Sequence, residues 1–186
     1  MTFTELELPG VWKIEPTVFT DHRGYFFESF RNDLMEQHLG LIHFVQDNQS
    51  SSSRGVVRGL HYQLPPHAQS KLIRVVEGSI VDVCVDIRRG SATFGQHVAV
   101  HLNSEQHHQL FIPKGFAHGF VTLSERAIVL YRTDDYYAPE TERCIRFDDP
   151  EIGIDWKFER HELIISEKDL DGKLLKVADV FEEGSW

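Results

Sequence analysis

The polar and ionisable side chains of this sequence crowd into a few short segments whose residue types suit proton transfer. These are His22-Arg23-Gly24-Tyr25-Phe26-Phe27-Glu28, Gln46-Asp47-Asn48-Gln49-Ser50, Arg58-Gly59-Leu60-His61-Tyr62-Gln63, Lys71 with Arg74, Pro113-Lys114-Gly115-Phe116-Ala117-His118-Gly119, and Tyr131-Arg132-Thr133-Asp134-Asp135-Tyr136-Tyr137. A neutral imidazole, with an unperturbed pKa of about 6.5, accepts a proton at physiological pH. A phenol near ~10 stays protonated and can donate. A lysine ammonium stabilises a developing oxyanion without a metal. Together these groups suit proton abstraction beside a carbonyl, through an enolate. The arginines can hold a planar or phosphate anion by bidentate hydrogen bonds.

The elements that must position these groups read as strands. The strongest periodic signal is alternation of period two over 80–87, with Val81, Val83, Val85 and Ile87 on one face and Asp82, Cys84 and Asp86 on the other. Segments 72–76, 97–102, 110–112, 120–123 and 128–133 are similarly short and β-rich, with Gly, Pro, Ser and Asn between them. Many short strands at close spacing predict a β-sandwich or barrel. One helix is expected over 33–39, with Asn32 as N-cap, Leu34, Met35 and Leu39 as apolar positions, and Gly40 as the stop. Ser166-Glu167-Lys168-Asp169 signals a second short helix or turn. The expected organisation is one all-β domain over 1–186 with a few short helices.

Composition limits the function. The 186 residues suit one domain. With 19 Lys and Arg against 29 Asp and Glu, the formal charge is −10, which argues against a nucleic-acid or anionic-membrane partner. Apolar runs are far shorter than the roughly 18 residues a membrane span needs. Cys84 and Cys144 are the only cysteines, too few for a disulfide framework or a Cys-rich zinc site. The expected location is the cytoplasm, with reduced thiols.

Eleven histidines raise the question of metal. Metal-holding cupin barrels use two histidines one residue apart, an acid a few residues on, and a third histidine in Pro-x-Gly-x-x-His. Pro113-x-Gly115-x-x-His118 resembles the second motif, but Gln63 replaces the second histidine of the first. No acid lies between Gln63 and Lys71. A cation does not substitute for an anionic oxygen donor. The fold signal therefore survives, and no metal or other cofactor is expected.

Arg23 through Glu28, Gln46-Asp47-Asn48, Arg58 through Gln63, Pro113 through Gly119 and Tyr131 with Tyr136-Tyr137 together resemble the dTDP-4-dehydrorhamnose 3,5-epimerase family. So do Asp149-Pro150 with Asp155-Trp156, and Ser166-x-Lys168-Asp169. The resemblance covers nearly the whole chain with its motifs in order. It implies a homodimeric cupin-type jelly roll that needs no metal. It also implies inversion of C3 and C5 of dTDP-4-dehydro-6-deoxy-D-glucose, giving dTDP-4-dehydro-L-rhamnose on the route to dTDP-L-rhamnose. In that family's terms His61 is the general base, Asp169 orients it, Tyr131 is the acid on the opposite face, and Lys71 stabilises the enolate. Arg23, Glu28, Gln46, Asn48, Arg58, His118, Glu142 and Lys168 are the implied nucleotide-sugar contacts, with Tyr137 stacking on thymine. The chemistry is coherent, because C3 and C5 both flank the C4 ketone and inversion needs two groups on opposite faces.

Each residue also has a plainer reading. His61 could be a satisfied core histidine, and Tyr131 a packed phenol. Asp169 could be the acid of a Ser166-x-x-Asp169 capping box, a role that competes with holding an imidazole. Arg23 and Arg58 alone would be solvated charges. Asp134, Asp135, Asp148 and Asp149 read as turn formers. Tyr136 and Tyr137 could be sheet surface. The alternative functions are a single-centre epimerase or ketoisomerase of another dTDP-deoxysugar, and a non-catalytic sugar-binding cupin.

Overall fold

The computed structural model describes residues 1–184 and 186. In chain order the strands are β1 (Thr2–Glu5), β2 (Trp12–Glu15), β3 (Phe19–Asp21), β4 (Gly24–Phe26), β5 (Gln46–Ser53), β6 (Val57–Gln63) and β7 (Lys71–Glu77). They continue with β8 (Ser79–Asp86), β9 (His97–Asn103), β10 (Gln109–Ile112), β11 (Phe116–Thr122), β12 (Arg126–Thr133) and β13 (Glu142–Cys144). Helix α1 (Asn32–Leu39) lies between β4 and β5, and α2 (Glu167–Leu170) follows β13.

One sheet has six strands in the order β1-β2-β10-β7-β12-β5, and a second has five in the order β13-β6-β11-β8-β9. Their pairings are antiparallel, and chain neighbours often cross from one sheet to the other. That is a jelly roll of cupin type. β3 and β4 form a separate hairpin.

The interior between the sheets is apolar at one end. Ile73, Val75, Leu110, Ile112 and Val129 of the six-stranded sheet meet Ile80, Cys84, Leu102, Phe116 and Phe120 of the other. Alternation in β8 is present as the sequence predicts, but both of its faces are covered. Val81, Val83, Val85 and Ile87 pack outward, under Ile145, Phe147, Trp156, Val180 and Phe181 of the C-terminal segment. Each such buried aliphatic side chain contributes about 1.5–3 kcal/mol. The face that carries Asp82, Cys84 and Asp86 points into the sandwich. Cys84 is fully buried in the apolar cluster, and burial raises its thiol well above the ordinary value, so it is inert packing.

Helix α1 closes the outer face of the six-stranded sheet, with Met35 packed on Ile14, Leu72 and Phe111. It ends at Gly40, whose φ of +82° suits glycine. Its start differs from expectation. Arg31 occupies the N-cap position without a side-chain cap, and Asn32 instead donates from Nδ2 to Glu36 Oε1 at 2.7 Å, one turn on.

Candidate active site

Period-two alternation brings residues from distant segments to one wall. On the six-stranded sheet Tyr131 pairs with Asn48 on one side and Ile73 on the other, and Thr133 pairs with Gln46 and Lys71. Facing them from the five-stranded sheet are Arg58 and His61 of β6, His118 of β11 and Glu142 of β13. All of these except Ile73, which packs in the apolar core, line one pocket of about 360 Å³, together with Gln63, Phe120 and Tyr137. The volume falls within the ordinary range for a small-molecule site.

Arg58 and His61 are three residues apart, yet both line the pocket, so simple alternation cannot account for them. The register of β6 against β11 slips between His118 and Phe120. Gly59 makes this possible: its φ is +126°, and a Cβ there would sit 2.5 Å from the Gly119 Cα. The Gly59 N–H also donates to Asp169 Oδ2 at 3.3 Å. His61 Nε2 and Asp169 Oδ1 are 2.6 Å apart, with Asp169 buried and His61 half-buried. Burial would raise the Asp169 carboxyl, but the bonds from His61, Gly59 and Ser166 hold it below its usual value, so it stays ionised beside the imidazole. The Nε2 proton is thereby fixed toward Asp169, and Nδ1 is left to exchange protons.

The Asp169 carboxylate is engaged by His61, not by a capping box. Ser166 is the N-cap of α2 and its Oγ accepts from the Asp169 backbone N–H at 3.2 Å. The Asp169 carboxylate does not accept from the Ser166 backbone N–H, as a full capping box requires; its main partners are His61 and the Gly59 N–H. One residue thus satisfies the helix with its N–H and the imidazole with its carboxylate.

Lys71 donates from Nζ to the His61 carbonyl oxygen at 3.2 Å across the sandwich. Burial pulls its ammonium down to about 8, against the attraction of Asp82 and Glu142. His118 Nε2 lies 2.8 Å from Asp82 Oδ1, and burial holds its imidazole below the ordinary value despite that acid. Burial raises the Tyr131 phenol, with Arg58 opposing, so it remains a proton donor. The site therefore offers an anchored base, a neutral acid and a poised cation around one cavity.

At the rim the Tyr137 hydroxyl donates to Glu142 Oε2 at 2.8 Å, and Lys168 Nζ meets the same oxygen at 2.6 Å. Gln46 Nε2 donates to Asn48 Oδ1 at 2.8 Å, and Arg58 Nε to Ser52 Oγ at 2.9 Å. Lys168 thus reaches the pocket only through Glu142, and two further expected contacts are not brought to it at all. Arg23 sits on the exposed β3–β4 hairpin, paired with Asp21 at 2.5 Å, and Glu28 lies 3.6 Å from Arg31. Arg132 pairs with Asp47 at 3.1 Å; Asp135 accepts from the adjacent Tyr136 N–H, as a turn former does, whereas Asp134 accepts from the distant Ser70 N–H and so ties two loops rather than forming a turn.

Gln63, Gln69 and Thr133 of the pocket lining, and Asp82 behind His118, are among the polar residues to which sequence reasoning gave no site role. Asp82 had a signal, an acid alternating with buried valines. Among the described residues, His61, Cys144 and Asp169 could bring three ligand atoms within 4.8 Å of one another. Burial pushes the Cys144 thiol up to about 12, however, and His61 and Asp169 already satisfy each other, so this donor set suits a proton-transfer pair better than an ion.

A family profile described as dTDP-4-dehydrorhamnose 3,5-epimerase matches residues 5–177. A Pseudomonas aeruginosa protein of that name is 53% identical over 182 residues, covering 97% of this chain and 99% of the relative. The chain belongs to the dTDP-4-dehydrorhamnose 3,5-epimerase family. The structure of a family enzyme from Legionella pneumophila in complex with dTDP-4-keto-L-rhamnose superposes with a TM-score of 0.93, at 44% identity and 97% coverage of both chains. A 3'-monoepimerase from Streptomyces bikiniensis, in complex with dTDP-quinovose, superposes with a TM-score of 0.86 at 34% identity, covering 92% of this chain and 86% of that one. Among the described residues no helix is long and apolar enough to cross a membrane.

Proposed function

We propose that this epimerase converts dTDP-4-dehydro-6-deoxy-D-glucose to dTDP-4-dehydro-L-rhamnose, inverting C3 and C5 in turn. The observation that carries the reading is a carboxylate-held imidazole on one sheet facing a protonated phenol on the other, with one pocket between them. His61 takes the proton from the carbon beside the ketone and becomes an imidazolium supported by Asp169. The C–H electron pair moves into the ring as an enolate, whose oxygen the Lys71 ammonium stabilises. Tyr131 returns a proton to the same carbon from the opposite face. The resulting phenolate and imidazolium are reset by proton exchange with solvent, so each inverted carbon acquires a solvent hydrogen. Gln46, Asn48, Arg58, His118, Glu142 and Lys168 hold the nucleotide-sugar, and Tyr137 stacks on thymine.

The working form in this reading is a cytoplasmic homodimer. Phe19, Tyr25 and Phe26 are each more than 60% exposed on the β3–β4 hairpin, apolar surface that a second copy would cover. Arg23 and Glu28 lie outside their own chain's pocket, so their substrate contacts fall to the pocket of that second copy.

Turnover in deuterium oxide tests the reaction. Deuterium at both C3 and C5 is expected, and His61→Ala should abolish both while dTDP binding persists. Label at one carbon alone would instead mark a single-centre epimerase. No label would mark a binding protein, and label retained in His61→Ala would remove His61 as the shared base.

A further inference from the structure

Gln63 stands where a metal-holding cupin has a histidine, and the proton chemistry gives it no task. It is nonetheless one of the most fully engaged side chains near the pocket, with only 4% of its surface exposed. Its Oε1 accepts from the Ala138 N–H at 2.9 Å. Its Nε2 donates to the Tyr136 carbonyl at 3.2 Å and to the His67 carbonyl at 2.7 Å. Rotating the amide by half a turn would set donor against donor and oxygen against two carbonyls, so the network fixes its orientation.

Tyr136 and Ala138 flank Tyr137. Gln63 therefore grips the backbone immediately before and immediately after this one residue. Gln46 Oε1 accepts from the Tyr137 N–H itself at 3.1 Å, so all three successive residues are held. Tyr137 itself, by contrast, is 53% exposed, and its hydroxyl donates to Glu142. Little packing orients such a ring, so the backbone beneath must aim it. The third Gln63 bond, to His67, ties this segment to the loop after β6, where Gln69 Nε2 also donates to the Asp135 carbonyl at 2.8 Å.

We propose that Gln63 is a positioning residue that sets Tyr137 at the pocket rim for stacking on the nucleobase. The inference rests on the stacking role read above for Tyr137. It explains why glutamine suits this position: the task needs two donors and one acceptor at the end of a three-carbon arm, which neither an imidazole nor a carboxylate supplies.

The test is a double-mutant cycle read by dTDP affinity and by deuterium wash-in at saturating substrate. Gln63→Leu, and the near-isosteric Gln63→Glu in case leucine prevents folding, should raise the dTDP Kd and the substrate KM about tenfold and leave kcat within about twofold. In a Tyr137→Ala background the same substitutions should add nothing further. Weakening of equal size in both backgrounds would mean that Gln63 touches the ligand itself, and would overturn the proposal. So would a fall in kcat with KM unchanged, or no effect of either substitution. If Tyr137→Ala alone leaves dTDP affinity intact, the stacking role fails, and this inference fails with it.

Discussion

Lys71→Met should make the protein more stable at neutral pH while abolishing turnover. Burial lowers the ammonium from its ordinary 10.5 to about 8, outweighing the attraction of Asp82 and Glu142. At 1.36 kcal/mol per pH unit, the charged form costs about 3 kcal/mol in the fold, a ceiling because the residue is not sealed from the pocket. Replacing the amine also removes the bond to the His61 carbonyl, an offset of about 1 kcal/mol. The net gain is then about 2 kcal/mol below pH 8. Between about pH 8 and 10.5 the unfolded chain binds more protons at this site than the folded one, so wild-type stability rises relative to the variant. Above about 10.5 both states of the lysine are neutral, and the variant should trail by the lost hydrogen bond. Urea unfolding of both proteins at about pH 7, 9 and 10.5 measures the difference at each point. A variant less stable at neutral pH, or a difference that does not move with pH, would refute the claim that the site holds a destabilised cation. The same ionisation bears on catalysis: as pH rises through about 8 the free enzyme loses the cation that would stabilise the enolate, so wild-type kcat/KM should fall there.

Asp169→Asn should lower deuterium wash-in about 10²- to 10⁴-fold with dTDP binding retained, since a neutral amide no longer supports the imidazolium; exchange measured by NMR checks this. Gly59→Ala should lose more than about 3 kcal/mol, because the new Cβ would press on the Gly119 backbone at a φ that L-residues avoid; a thermal midpoint near wild type would contradict it. Ser166→Ala should cost about 1 kcal/mol through the lost cap, and should lower kcat as well, because the same bond seats the N–H of Asp169; an unchanged kcat would separate the cap from the dyad.

Legibility in the sequence followed the apolar core. β7 through β10 and β12 stand out because each carries aliphatic residues toward a dry interior, and alternation is the record of that burial. β5 carries none of this signal: Gln46 to Ser53 is polar throughout, yet it pairs along its whole length with β12. The reason is its position. It is an edge strand whose inner face lines the pocket and whose outer face meets solvent, so neither set of side chains has an apolar environment to match. β11 begins at Phe116 rather than near 120 for a related reason, since the turn-like Pro113–Gly115 runs straight into a strand that holds His118 over the cavity. β8 shows the converse, because its valine face looks like the side toward a second sheet but packs under the C-terminal segment, while its acids point inward. His61, Tyr131 and His118 come from recognisable motifs, Lys71 from the family resemblance alone, and the fold brings all four to one pocket. Asp82 and Gln63 are each noticeable in the sequence, but their tasks are not, because the partners are His118 and backbone groups, contacts that leave no spacing in the chain. A strand that gives a whole face to a polar cavity and the other to solvent, as β5 does, gives up the pattern by which strands are found, whereas β7 and β12 stay legible because they place one end in the pocket and the rest in the apolar core.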